Sequence, residues 1–356
     1  MRVGLVCSYS LTVPGGVQGQ VLGLARSLRA LGHSTRVLAP CDGPPREPGI
    51  TPLGRSVPVA ANGSIAPIAP HPAAALRTIR ALRDEDFDVV HVHEPLAPGP
   101  TLTALLAARA PLVGTFHREG AGAAYKWLGP IGARLARRLD IRCAVSEAAL
   151  ATASAALGGT YEAVFNGVEV ERFAKAEAWP TESPTILFLG RHEDRKGLEV
   201  LLAAAAELPA DVRIWIAGKG PQTDELRART ADDARIEWLG RISDAERAAR
   251  LRGAHVFCAP SRFGESFGIV LLEAMAAQVP IAASNLPGYR RVAEADEHAL
   301  LVPPDDPAAL AHAIRRLLTD GSLAERLRSA GQARAAEFSM DLLAERYLDL
   351  YANLRQ

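Results

Sequence analysis

Aromatic residues are scarce. Phe, Tyr and Trp make up 5% of 356 residues, so any core must be built mainly from the Ala, Leu and Val of a 48% apolar fraction. A charge of one sign is missing as well. Lys plus Arg equals Asp plus Glu at 40 each, and the basic excess usual in a nucleic-acid binder is not there. The four cysteines, Cys7, Cys41, Cys143 and Cys258, lie far apart, with no CxxC and no His spacing suited to zinc. Three of them fall in apolar runs that read as strands, where Cys packs as a small hydrophobe. No apolar run is long enough to span a bilayer, and the first residues read as a strand rather than a signal peptide. The expectation is a soluble, cytosolic protein whose length suits two domains.

What is present is an alternation of strands and helices. Met1–Ser8 reads as a strand, followed by a loop with Pro14, Gly15 and Gly16, a helix from Gln18 to Leu31 and a strand from Ser34 to Pro40. Such strand–loop–helix–strand units build parallel sheets. Cys41–Pro72 is rich in Pro and Gly and reads as a long surface excursion. Helix Ala73–Arg83, strand Asp88–His93, helix Gly99–Arg109, strand Pro111–His117, helix Ala124–Leu139 and strand Ile141–Val145 follow. Turn chemistry from Asn166 to Phe173 and a Pro-bearing linker to Pro184 mark a boundary. The alternation then restarts at Thr185–Leu189. A final amphipathic helix, Asp341–Leu354, is expected to cross back to the first domain. The division is 1–169, completed by 341–356, and 170–340. Both halves are α/β and doubly wound, and ligands should sit at strand C-terminal ends in a cleft.

The stretch Gly264–Met275, GESFGIVLLEAM, organises the rest. A strand, a tight loop and a helix start leave N–H groups unpartnered at the positive end of a helix dipole, a ready anion site. Glu265 lies in the loop and Glu273 one to two turns into the helix. Either alone reads as a cap or a solvated charge; together, beside a phosphate site, they suit sugar hydroxyls. Arg191 and Lys196 follow strand Thr185–Leu189 and supply the opposite charge that a nucleotide diphosphate needs. No DxD-type pair follows a strand to hold a metal there. Gly15-Gly16 could let backbone approach a phosphate or be a plain turn; GxGxxG is not satisfied, which disfavours a dinucleotide site. His117 closes a strand at the rim and can bond a sugar hydroxyl, whereas His91 and His93 read as structural. The arginine-bearing helices read as solvated faces, or more sharply as contacts for anionic head groups. No Ser-His-Asp order suggests acyl transfer.

Together these motifs resemble the retaining GT-B glycosyltransferases with an E-x7-E motif, here Glu265 to Glu273. The resemblance spans essentially the whole chain through LFLGRHEDRKG, IAGKGP and VFCAPSRFGESFGIVLLEAMAA. Within that group VCSYSLTVPGGVQ, SVPVAANGSIA, HVHEP and GTFH resemble the phosphatidylinositol α-mannosyltransferases of actinobacteria. The resemblance implies transfer of mannose from GDP-mannose to the inositol ring of phosphatidylinositol, in phosphatidylinositol mannoside biosynthesis, with no cofactor for the chemistry and no metal. It implies that Gly16, Arg191, Lys196 and the N–H groups of Ser266, Phe267, Gly268 and Ile269 bind the diphosphate. Glu273 would hold the ribose, and Ile242 with Arg247 would flank the base. Glu265 and His117 would contact the mannose, and Tyr9, Gln18 and Asn62 would line the inositol pocket. The implied place is the cytoplasm, peripheral at the inner face of the plasma membrane. Here, however, the dense basic cluster of the family thins to Arg77, Arg80 and Arg83, followed by Asp84, Glu85 and Asp86. At about 1 kcal/mol per basic residue near an anionic surface, that weakens docking. A UDP-sugar donor with a soluble polyol or glycoside acceptor stays open, as do a sugar-nucleotide epimerase and a non-catalytic nucleotide-sugar-binding protein.

Overall fold

The computed structural model describes residues 1–13, 15–45, 47–61, 64–118 and 123–354. It divides into two units, Met1–Gly167 with Met340–Gln356, and Val168–Ser339.

The first unit runs β1 (Arg2–Cys7), α1 (Gly16–Ala30), β2 (Ser34–Ala39), β3 (Ile50–Pro52), β4 (Val57–Ala61), β5 (Ser64–Ile68), α2 (Pro72–Asp84), β6 (Val89–His93), α3 (Pro100–Ala107), β7 (Leu112–Phe116), α4 (Ala123–Ala136), β8 (Ile141–Ala144), α5 (Glu147–Leu157) and β9 (Glu162–Ala163). Its sheet has the order β3-β2-β1-β6-β7-β8-β9 with every pairing parallel. Successive residues of a strand face opposite sides. Val3, Leu5 and Cys7 pack with Val21, Leu24 and Leu28 of α1 and with Leu343, Tyr347 and Tyr351 of the C-terminal helix Met340–Asn353. Val6, Val90, Val92 and Phe116 pack on the other side with Ala81 and Leu105. Both faces are covered, which is why β6 and β7 are buried throughout.

The second unit contains α6 (Val170–Ala174), β10 (Thr185–Leu189), α7 (Leu198–Ala204), β11 (Arg213–Ala217), α8 (Thr223–Arg229), β12 (Ile236–Gly240), α9 (Asp244–Gly253), β13 (Val256–Ala259), α10 (Ile269–Ala276), β14 (Ile281–Ser284), α11 (Pro287–Arg290), β15 (Leu300–Val302), α12 (Pro307–Thr319) and α13 (Gly321–Glu337). Its sheet order is β12-β11-β10-β13-β14-β15, again parallel.

Three expectations need correction. Residues 41–72 are not one surface excursion: they hold β3 at the sheet edge and the antiparallel hairpin β4–β5, where Pro58 opposes Pro67. Proline is compatible with such edges because no ladder donor is lost. Helix α4 is broken at Gly129 (φ 40°, ψ −132°), just before Pro130, which lacks an N–H and clashes with the preceding turn. Helices α5, α6 and α11 were not expected; α5 is Ala-rich with no apolar stripe to read, yet Ser146 caps it by accepting from the Ala149 N–H.

Candidate active site

In each sheet the strand order reverses at one place, and the carboxyl ends of the two strands there form a crevice. In the second unit the reversal lies between β10 and β13. The loop after β10 carries Arg191 to Lys196, and the loop after β13 carries Ser261 to Gly268. Gly197 sits between the two. Its φ is +64°, and a Cβ there would lie 1.9 Å from the Pro260 carbonyl oxygen, so only glycine lets the loops meet this closely.

Lys196 Nζ donates to Glu265 Oε1 at 2.5 Å, Ser261 Oγ donates to the same oxygen at 3.0 Å, and Arg195 Nη1 lies 3.6 Å from it. Ser261 Oγ is in turn 2.9 Å from the Tyr289 hydroxyl. Glu193 lies between two guanidiniums, 3.2 Å from Arg191 Nε and 2.6 Å from Arg195 Nε. Three cations against two carboxylates leave this cluster one positive charge in excess, and the Arg191 side chain is 41% exposed. The charge of Glu265 is therefore met from three sides, by Lys196, Ser261 and Arg195. Arg195, Glu193, Ser261 and Tyr289 were missed. Arg195 adjoins Lys196 in DRKG, but its role depends on a contact with Glu265 on a distant loop.

Helix α10 starts at Ile269, with Gly268 (φ 95°) as a cap that has no side chain to offer; its carbonyl accepts from the Leu271 N–H at 2.9 Å, which leaves the N–H groups before Leu271 as the ones that point outward at the helix start. Ser266 accepts from Arg291 through its carbonyl, while Phe267 is buried edge-on against Phe338. Glu273 is buried, and burial pushes its carboxyl up despite Arg247, whose Nη2 lies 2.8 Å away. Arg247 and Glu273, assigned separately to base and ribose, are thus one ion pair. Ile242 is half-buried after β12.

In the first unit the reversal lies between β1 and β6. Tyr9 follows β1, bridges to Ile68 and has its phenol pushed up by burial and by the charge of Glu94. The Gln18 side-chain amide donates to the carbonyls of Ser10 and Val13, so it holds the loop before α1. Gly16 opens α1. Asn62 lies outside the described residues. The missed Asp42 ties this region together, accepting from Ser10, Thr12 and both donors of Ser56, which holds its carboxyl below the usual range even though burial alone would raise it.

His117 lies just beyond β7. Its backbone N–H donates to Glu94 Oε1 at 2.7 Å, and its Nε2 is 3.0 Å from His93 Nδ1. Burial depresses its pKa to about 4, with the nearby Asn166 side chain acting weakly the other way, so the ring is neutral near pH 7. Glu94 takes φ 58°, a left-handed conformation that non-glycine residues rarely hold and that often marks a functional site. Behind it, His91 is bonded at both nitrogens, 2.7 Å from the Tyr351 hydroxyl and 2.7 Å from Thr115 Oγ1. Among the described residues no helix is long and apolar enough to cross a membrane.

Residues 14–172 match the family model described as glycosyltransferase family 4, and residues 169–334 match glycosyl transferases group 1. Anabaena HepE, solved with UDP-glucose, superposes at TM-score 0.76 with 19% identity over 99% of each chain. With two parallel doubly wound units, this is the GT-B glycosyltransferase fold. The phosphatidyl-myo-inositol mannosyltransferase of Mycolicibacterium smegmatis is 42% identical over 95% of this chain and 89% of its own. That of Mycobacterium leprae is 40% identical over 99% and 96%. The chain belongs to the phosphatidyl-myo-inositol mannosyltransferase family.

Proposed function

We propose that the protein moves mannose from GDP-mannose to the inositol ring of phosphatidylinositol or a related acceptor, with retention of anomeric configuration. The observation that carries this reading is the Lys196–Glu265 pair at the switch point of the second unit, in a chain of this family. Arg191, Lys196 and the N–H groups of Ser266 to Ile269 hold the diphosphate, and Gly16 adds its N–H from the start of α1. The incoming diphosphate competes with Glu265 for Lys196, freeing the carboxylate to accept from hydroxyls of the mannose. Glu273 takes the ribose hydroxyls, oriented by Arg247, and Ile242 flanks the base. His117 bonds a hydroxyl of the transferred sugar. Tyr9, Gln18 and Asn62 serve the inositol ring.

In the reaction, the acceptor oxygen bonds to the anomeric carbon on the face from which the diphosphate departs. The carbon–oxygen bond to phosphate breaks, and the acceptor proton passes to the departing phosphate oxygen. No covalent nucleophile is needed. Peripheral contact with an anionic membrane would fall to helix α2, where Leu76 is 67% exposed. Arg80 there pairs with Asp84, and Arg77 donates to the Leu53 carbonyl, so the helix offers limited basic charge.

The test is a matrix of GDP-mannose, UDP-glucose and UDP-GlcNAc against phosphatidylinositol vesicles, free inositol and no acceptor. Mannose on the lipid is the expected result. Transfer only from a UDP-sugar or only to soluble acceptors would keep the enzyme class and overturn the substrates.

A further inference from the structure

The geometry points to His93 as the positioning residue that fixes the ring orientation and tautomer of His117, through its Nδ1–H donated to His117 Nε2. The inference rests on the reading that His117 contacts the transferred sugar.

The two residues come from neighbouring strands. His93 ends β6, opposite Thr115 of β7, and His117 lies two residues beyond Thr115. The rings stack with centroids 5.3 Å apart and an interplanar angle of 28°. On its far side His93 stacks on His91, centroids 4.2 Å apart. His91 cannot turn, because both its nitrogens are engaged by Tyr351 and Thr115, and Thr115 is held in turn by Tyr347 at 2.9 Å. His93 therefore has a fixed wall behind it and, among the described residues, one hydrogen-bonding neighbour, His117, in front.

The direction of the His93–His117 bond follows from the remaining nitrogen. His93 is 2% exposed, and its Nε2 has no hydrogen-bond partner among the described residues. A proton there would be a buried orphan donor, the rarer and costlier kind of unsatisfied group. Burial keeps both rings neutral, so each carries one proton. His93 then holds its proton on Nδ1 and donates it. His117 Nε2 accepts, and the His117 proton must sit on Nδ1. The nitrogen left for a hydroxyl is a donor of defined direction. A wrong tautomer would present a bare acceptor at the same place.

The decisive measurement is a long-range proton–nitrogen correlation spectrum of the full-length protein labelled with nitrogen-15 histidine, with His117 assigned by its loss in His117→Gln. The expected pattern is a protonated Nδ1 and a bare Nε2; the opposite pattern in the wild type would overturn the inference without any variant having to fold. His93→Phe keeps the stacking and removes the donor. Its His117 signals should shift toward a mixture of tautomers, and kcat should fall about 10- to 100-fold with donor KM changed far less. His93→Asn restores a donor near the Nδ1 position and should recover most of that loss. Equal activity in the Phe and Asn variants would reduce His93 to packing and overturn the inference. Wild-type turnover in His117→Ala would instead overturn the reading on which it rests.

Discussion

Lys196 Nζ stands 2.5 Å from Glu265 Oε1, although the two side chains come from loops after different strands of the second sheet. In the proposed function a phosphate oxygen draws the ammonium away, while Ser261, which also donates to the carboxylate, stays in place. Because Arg195 and Ser261 remain on Glu265 after Lys196 leaves, the carboxylate is never stranded without a partner.

Lys196→Ala and Glu265→Gln should each lower kcat/KM by about 100- to 1,000-fold, the scale seen when one preorganised charge-stabilising group is removed. Thermal unfolding should move only a few degrees, since the other contacts of the cluster persist. Initial rates and melting curves of both variants check this. Turnover at the wild-type level in either variant would remove that residue from the site.

The Glu273–Arg247 pair has a pH signature. Burial raises the carboxyl pKa in the folded chain, so the native state binds this proton more tightly than the unfolded chain does. Such a group costs stability as pH rises through its folded pKa. Arg247→Ala removes the opposing charge and should lower the unfolding free energy by roughly 2–4 kcal/mol at pH 8, with a smaller deficit at pH 5. Urea titrations at the two pH values decide the matter; an identical deficit at both would mean that the guanidinium acts only by packing.

The histidines of the first unit act with the opposite sign. Burial lowers His91 to about 3 and His117 to about 4, while the unfolded chain takes up these protons near pH 6.5. Their share of stability is complete above pH 6.5 and is lost as pH falls toward 4. Each contributes a slope of up to about 1.4 kcal/mol per pH unit inside that window. His117→Gln should flatten the measured slope by about one such share. An unchanged slope would mean that His117 titrates normally in the folded protein.

Gly197→Ala should be among the most damaging of small substitutions. The left-handed φ and the 1.9 Å approach to the Pro260 carbonyl leave no room for a methyl group. A loss of at least about 2 kcal/mol in urea is expected, together with a raised donor KM as the Lys196 loop is pushed off the Glu265 loop. A variant with normal stability and normal KM would mean that the backbone can relax there at no cost.

The fold was readable because each strand–helix step changes the spacing of apolar residues from two to between three and four, and because strand ends name the places where ligands sit. Arg191, Lys196 and Glu265 could be found that way. What joins them could not. The Arg195 and Ser261 contacts to Glu265 depend on how β10 and β13 align, and the pairing of His93 with His117 depends on the register of β6 against β7. Alternation along β6 put His91 and His93 on one face and suggested that they were structural; it could not show that His93 would meet His117 of the next strand. The proline-rich region 41–72 misled because proline disfavours central strands, whereas these strands lie at an edge and in a hairpin.

The first unit takes its core from two distant parts of the sequence: Thr115 and Cys143 are laid down early, but Tyr347 and Tyr351, which close the core, arrive roughly 200 residues later. At about 5–20 residues per second on a ribosome, that is a wait on the order of 10–40 s. The second unit is continuous from Val168 to Ser339 and emerges whole within the same interval. In translation, then, the half that begins first is the last to be finished, and its His91 face stays open to water, and to chaperones, until the final helix lands.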